Sequence, residues 1–544
     1  MQRDLSVSYG NLGDIAKSRN DYKAAEGYYA KALEIREKLA EKYPEDPNLQ
    51  RDLSVSYERL GYIAAARNVY NAAGWYYAKA IEISGRLAEK YPDAPNLQRD
   101  LSVSYGNLGD IAKSRNDYKA AEGYYAKALE IREKLAEKYP EDPNLQRDLS
   151  VSYERLGYIA AARNVYNAAG WYYAKAIEIS GRLAEKYPDA PNLQREFSIP
   201  CEKLGDIAMA RNDYSVAEKY YAKALEISER LAEKYPDDLD FQRNQSVSYE
   251  RLGDIAKARN DYNVAKKYYA KVLEISEKLV GKYPNDPNLQ RDQGVSYNKL
   301  GDIAKARNDY KAAEGYYAKA LEIGERLAEK YPEDPQMQRD LSISYNNLGD
   351  IAKAQKNHKA TKEYYLKAIG ISRKLAGKFP DDPKMQRDLS VSYNNLGGIA
   401  KALSDYRAAE GYYTKALEIS ERLAEKYPED PQMQRDLSVS YNNLGGIAKA
   451  RNDYKAAEGY YAKDLAISER LAESFPEVPM LKDDLAVSLF KCGTCSADGK
   501  LSSEQKAMLR DAAGIWEELY EQTGYELYAE RREIAQNRLN QCSE

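Results

Sequence analysis

From Asp46 to Pro92 the chain reads DPNLQRDLSVSYERLGYIAAARNVYNAAGWYYAKAIEISGRLAEKYP, and its apolar positions follow a helical period. Leu49, Leu53, Tyr57, Leu60 and Ile63 recur at three- and four-residue steps, which aligns them on one face of a first helix. Asp46 suits the N-cap and Pro47 the first helical turn, where its missing N–H costs nothing. The motif Arg-Asn-(Asp/Val)-Tyr breaks the period, and in most units an Asp such as Asp21 or Asp453 stands ready to cap a second helix. That helix runs to Glu-Lys-Tyr-Pro, where Pro92 cannot continue it. Short links between long helices predict antiparallel neighbours, and no segment alternates as a strand does.

The same text returns every 48 residues. QRDLSVSY begins at Gln2, Gln50, Gln98 and Gln146, and related starts follow at Gln194, Gln242, Gln290, Gln338, Gln386 and Gln434. Ten units therefore fill residues 2–481. Residues 2–97 recur unchanged as 98–193, the trace of a recent duplication or of deliberate assembly. The organisation reads as repeats 1–4 at 2–193, an irregular repeat 5 at 194–241, repeats 6–10 at 242–481, and a degenerate unit with a helical cap at 482–544. Such an array buries its core between neighbours, so its stability is local and nearest-neighbour.

Composition adds exclusions. The 544 residues carry 82 Lys+Arg against 86 Asp+Glu, a formal charge of -4 that calls for no strongly basic or acidic partner. Charged residues make up 31% and the mean hydropathy is -0.76, while no apolar run approaches the ~20 residues of a membrane span. The start MQRDLSVSYG has neither a basic nor an apolar leader region. Four Cys fit a reducing compartment rather than a disulfide scaffold, so a cytoplasmic location is expected. The 51 Tyr against 5 Phe follow from about five Tyr in every repeat.

YNNLGGIAKARNDYKAAEGYYAKAL, residues 441–465, resembles the tetratricopeptide repeat: aromatic, Leu-Gly, small residue, Asp-Tyr, Ala, aromatic. In repeat 9 the corresponding residues are Tyr393, Leu396, Gly397, Ala400, Asp405, Tyr406, Ala409, Tyr413 and Ala416. Each unit here is about 14 residues longer than the usual one, Asn replaces the usual turn Gly, and Asp464 replaces a recurrent Ala. The extension adds an apolar layer, Leu423, Tyr427, Met433 and Leu437. Longer units of this sort are similar to kinesin-light-chain-like and bacterial multi-repeat proteins. The resemblance implies an all-α, right-handed superhelical solenoid of antiparallel helix pairs, with first helices lining a concave groove.

Gly445 matches the family's packing Gly, which every repeat keeps (Gly13, Gly61, Gly205 and Gly301 among them). Its neighbours on the groove side vary, and they form columns down the array. Gly446 continues Asp14, Tyr62, Asp110, Tyr158, Asp206, Asp254, Asp302, Asp350 and Gly398. One turn on, Lys353, Lys401 and Lys449 end a mostly Lys column. Asn346, Asn347, Asn394, Asn395, Asn442 and Asn443 form paired Asn through repeats 8–10. Asn-Asn and Gly are poor helix formers, so something besides helix stability selects them. Such a ladder resembles the groove of the O-linked N-acetylglucosamine transferase repeat domain, where Asn side chains hold a peptide backbone. A carboxamide offers both donor and acceptor, and Gly398 and Gly446 would admit a close backbone. The alternative is a solvated face with charge pairs inside each helix. The carboxylate clamp of chaperone co-factors in this family is not matched.

Other candidates read as structure. Lys-Cys-Gly-Thr-Cys (491–495) has thioredoxin or half-zinc spacing, but in register Leu489, Cys492 and Cys495 fall on buried columns and Gly493 on the packing Gly. Only Cys542 lies plausibly near as a further ligand. His358 stands where Tyr406 stands a repeat later, and the sequon at Asn244 lies in a predicted helix. No phosphate-binding Gly loop or Ser/His/Asp set occurs, so neither catalysis nor a cofactor is expected. The groove alternates Asp with Lys, so nucleic acid and membranes are not expected partners. Pro200 and Cys201 interrupt repeat 5, which predicts either a bend between its neighbours or a shortened helix. A capping box at Ser502, a stop at Gly524 and a final amphipathic helix predict a C-terminal cap. Met1 enters inside a repeat, which fits a fragment of a larger effector or an end that stacks head-to-tail on a second copy. The expected function is a non-enzymatic scaffold for proteins or extended peptides, with a regulatory arm or a self-assembling repeat as alternatives.

Overall fold

The computed structural model describes residues 1–541 except 212, 477 and 498. These form helices without strands, in two compact units, Met1–Tyr235 and Pro236–Glu544. The first unit holds five antiparallel pairs: α1 (Gln2–Ser18) with α2 (Tyr22–Lys42), α3 (Pro47–Ala66) with α4 (Tyr70–Lys90), α5 (Pro95–Ser114) with α6 (Tyr118–Lys138), α7 (Pro143–Ala162) with α8 (Tyr166–Lys186), and α9 (Pro191–Ala210) with α10 (Tyr214–Lys234). The second continues with α11 (Leu239–Ala258) and α12 (Tyr262–Lys282), α13 (Pro287–Ala306) and α14 (Tyr310–Lys330), α15 (Pro335–Ala354) and α16 (His358–Lys378), α17 (Pro383–Ala402) and α18 (Tyr406–Lys426), and α19 (Pro431–Ala450) and α20 (Tyr454–Ser474). It ends in α21 (Pro479–Gly493), α22 (Ser503–Thr523) and α23 (Glu526–Gln541).

Local chemistry sets the ends. Asp46 accepts backbone N–H bonds from Asn48 and Leu49 ahead of Pro47, and Asp21 accepts from Ala24. Between the helices, Asn20, Asn116, Asn308 and Asn452 take left-handed φ near 60°, the conformation Asn tolerates best after Gly. Each packing Gly is a notch for a ring from its own second helix. A Cβ at Gly397 would lie 2.6 Å from Tyr413 Cε1, and one at Gly445 equally close to Tyr461 Cε1. Tyr29, Tyr125, Tyr317 and Tyr365 fill the same notch and are buried.

Neighbouring repeats inside each unit are joined by the Gln-Arg-Asp motif. Gln50 donates to the Ala40 carbonyl of the preceding helix at 3.0 Å. Arg51 grips Asp100 of the next repeat with two nitrogens, at 2.5 and 3.2 Å. Arg339–Asp388, Arg387–Asp436 and Arg435–Asp484 repeat that pairing in the second unit. Bidentate geometry places these pairs at the upper end of the ~0.2–1 kcal/mol typical of surface ion pairs.

α9 is not shortened by Pro200: it runs its full 20 residues with Pro200 and Cys201 buried. At the C-terminus the Ser502 capping box and the left-handed Gly524 both form. The last helix departs from the amphipathic expectation. α23 buries Ala535 alone and leaves Ile534 56% exposed. Ala535 and Tyr528 pack on the core of α21 and α22, and ion pairs from Arg531 to Asp483 and Arg532 to Glu517 add to that hold. No helix among the described residues is long and apolar enough to cross a membrane.

Candidate functional site: the first-helix face of repeats 7 to 10

In the second unit α13, α15, α17 and α19 touch one another directly. The first helices line one side of this stack, and within this unit the Asn, Lys and Asp/Gly columns singled out above lie on them.

The Asn residues are half-buried and bonded across repeats rather than along their own helices. Asn347 Nδ2 donates to Asn298 Oδ1 at 3.3 Å, Asn395 to Asn346 at 3.1 Å, and Asn443 to Asn394 at 3.2 Å. Each bond uses one donor and one lone pair, so every amide keeps further donors or acceptors for a ligand. Asn442 is the exception in partner, donating to Asp464 Oδ2 at 2.8 Å.

Asp464 is a buried hub. Besides Asn442 it accepts from Ser438 and, at 2.9 Å, from Ser488. Burial pushes its carboxyl above the usual range, and these hydrogen bonds pull it back only in part. The substitution of Ala by Asp thus ties repeat 10 to α21.

The Lys column pairs between repeats as well. Lys257 Nζ meets Asp302 Oδ2 at 3.0 Å, and Lys305 meets Asp350 at 2.6 Å. Each Asp also accepts a hydroxyl from the notch tyrosine, Tyr317 to Asp302 at 2.8 Å and Tyr365 to Asp350 at 2.7 Å. Lys353 and Lys401 face Gly398 and Gly446 in the same register and find no carboxylate there. Lys449 donates to the Thr494 carbonyl at 2.7 Å. Crowding by neighbouring atoms, and secondarily the charge of Lys491, hold the Lys401 ammonium below its ordinary range.

A cavity of about 260 Å³ opens beside this face in repeat 7. Ala320, Ile323, Leu327 and Met337 give it an apolar floor, and Asn298 and Asn347 stand among its polar lining. Its origin lies in two columns that are Ser in neighbouring repeats and Gly at 294 and 324. In repeat 8 those positions, Ser342 and Ser372, bond to each other at 2.9 Å. Column reading confined to the groove missed the cavity, although the paired Ser-to-Gly changes signal it.

The cysteine motif is packed, not exposed. Cys495 is fully buried and Cys492 half-buried, in one cluster with Ala457 and Tyr461. Burial, and secondarily Asp464, push the Cys492 thiol up to about 12, which leaves it un-ionised at neutral pH. Gly493 serves the packing role, since a Cβ there would meet Leu509 Cγ at 2.8 Å. Cys542 lies outside the described residues, and among those described no three His, Cys, Asp or Glu converge on a metal position. His358 is exposed at the start of α16, and Asn244 lies within α11.

Comparison with known proteins fits this architecture. Family models described as tetratricopeptide repeat match residues 5–48, 101–144, 294–336, 389–432 and 437–476, then 343–375, then 202–271. Among solved structures, apo RapI is 13% identical over 78% of this chain and 99% of its own, with a TM-score of 0.50, a likeness of fold alone. BtubC (BKLC) from P. vanneervenii is 24% identical over 47% of this chain and 91% of its own, at 0.37. Yeast Tom70 is 15% identical over 99% and 97%, at 0.38. Among curated proteins none matches. With seven matched spans that together exceed half its length, on a frame of paired helices with a Gly notch in each, the chain belongs to the tetratricopeptide repeat family.

Proposed function

We propose that this protein is a non-enzymatic scaffold that holds an extended polypeptide against the first-helix face of repeats 7–10. The observation that carries the reading is the half-buried amide row from Asn298 to Asn443, with hydrogen-bonding capacity to spare beside positions cleared by Gly398 and Gly446. Amides of this kind pair with a peptide unit whatever its side chains, and the adjoining cavity would take one apolar side chain. The test is affinity capture from host lysate by the native chain and by a variant with Ala at Asn346, Asn347, Asn394, Asn395, Asn442 and Asn443. A partner lost by the variant at unchanged helicity supports the reading. Equal capture by both places the site elsewhere.

A further inference from the structure

We propose that the ligand of this face is an acidic polypeptide segment, two of whose carboxylates fill the places beside Gly398 and Gly446 where earlier repeats supply their own Asp. The inference rests on the peptide-binding reading above and names the partner's chemistry.

The chain carries the template for such a site. Asp302 receives Tyr317 on one oxygen and Lys257 on the other, and Asp350 receives Tyr365 and Lys305 in the same way. One repeat on, the donors persist and the acceptor is gone. Lys353 and Tyr413 surround Gly398, and Lys401 and Tyr461 surround Gly446. A Cβ at Gly398 would lie 3.7 Å from Lys353 Nζ and 3.8 Å from Tyr413 OH; at Gly446 the distances are 2.9 Å to Lys401 Nζ and 3.8 Å to Tyr461 OH. Among the described residues none of these four polar tips has a hydrogen-bond or ion-pair partner.

A plain solvated lysine row does not account for this. Where the column lacks Asp in the first unit it carries an aromatic ring, and Lys17 and Lys113 lie over Tyr62 and Tyr158 at 5.0 and 5.3 Å. Mid-helix Gly is disfavoured by about 1 kcal/mol against Ala, and no backbone or core side chain crowds either position. Both glycines remove the side chain; Gly398 leaves open space, and at Gly446 the flexible Lys401 ammonium leans into it. Further cations stand near the Gly446 end of the row, since Lys491 bears on both Lys401 and Lys449, and Arg538 on Lys449. Each vacancy offers one ammonium and one hydroxyl, a match for the two oxygens of one carboxylate. Two vacancies a repeat apart, flanked by amides suited to a backbone, call for an acidic chain rather than a small anion.

The test uses the full chain and short labelled Ser/Gly peptides carrying two Glu at graded spacings, each beside its Gln counterpart, read by fluorescence anisotropy. At the best spacing the Glu peptide should bind about tenfold tighter per carboxylate, the scale of a hydrogen bond to a charged group. Gly398→Asp with Gly446→Asp should erase that preference by self-occupation, in a fold that already carries Asp at this column in six repeats. Lys353→Ala with Lys401→Ala should erase it too. Glu and Gln peptides binding alike, or a Glu preference that survives Gly→Asp, overturns the inference. If the preference is absent while the Asn variant still loses its partner, the acidic site falls and the amide face stands. A Glu preference kept by both the native chain and the Asn variant upholds the acidic site and removes the amides from the reading.

Discussion

Lys17 and Lys353 hold the same register seven repeats apart, yet Lys17 lies over the Tyr62 ring and Lys353 faces Gly398. The columns beside them differ as sharply. Where repeats 8–10 carry Asn346, Asn394 and Asn442, repeats 2 and 4 carry Glu58 and Glu154. Arg59 and Arg155 stand where the later repeats have Asn347, Asn395 and Asn443, and they pair with Asp14 and Asp110 at 2.8 and 2.7 Å. In the first unit this face is closed by the chain's own charges and rings. In repeats 8–10 the tips of Lys353, Lys401, Tyr413 and Tyr461 find no partner among the described residues. The notch of Gly and Tyr, the Asp caps and the Arg–Asp joints persist in both, so residues on the first-helix face change without loss of fold.

The comparison makes its largest prediction through pH. Burial pushes the Glu58 and Glu154 carboxyls up to about 7, with the Asp100 charge adding to Glu58 and the Glu196 charge to Glu154. A folded pKa above the unfolded value favours the protonated form. The stability it contributes is complete below about 4.5 and is lost as pH rises through about 7. At about 1.4 kcal/mol per pKa unit, each group costs the first unit up to about 3 kcal/mol across that window. Trp75 and Trp171 report on that unit once Trp516→Phe silences the other, so urea melts at pH 5 and pH 8 measure the loss. Glu58→Gln with Glu154→Gln should flatten it; an unchanged pH slope in that variant breaks the prediction.

Adjacent glycines sharpen the contrast between frame and face. Gly445→Ala drives a Cβ into Tyr461 at 2.6 Å, so overpacking of about 1–3 kcal/mol outweighs a helix-propensity gain of about 1 kcal/mol. A net loss of about 1 kcal/mol should appear in the denaturation midpoint. Gly446→Ala meets only the flexible tip of Lys401, and its propensity gain should survive as a rise of a few tenths of a kcal/mol. Equal effects at the two positions would erase the distinction between notch and face.

Much of the fold was legible because each repeat restates its own grammar: helix period, Asp caps, the packing Gly and the left-handed Asn. The site was legible as columns but not as contacts. Lys305 looks able to pair within its helix, yet it bonds to Asp350, 45 residues on, because stacking brings the next repeat closer than the next turn. The Asn pairs likewise join residues 49 apart. Whether Gly398 is open space or a packed contact depends on where the Lys353 and Tyr413 tips end, which no column reveals. α23 is less amphipathic than expected because only Ala535 and Tyr528 reach the core while Ile534 stays exposed.

Residue-resolved lysine acylation of the native chain, read by mass spectrometry, tests the central claim most directly, because it needs no ligand. Lys353 and Lys401 should react fastest of their column, ahead of Lys17, Lys113, Lys257 and Lys305, and Gly398→Asp with Gly446→Asp should slow them to the rate of Lys305. Uniform rates along the column, or rates untouched by the two Asp, would show that the face of repeats 8–10 is no more open than the rest.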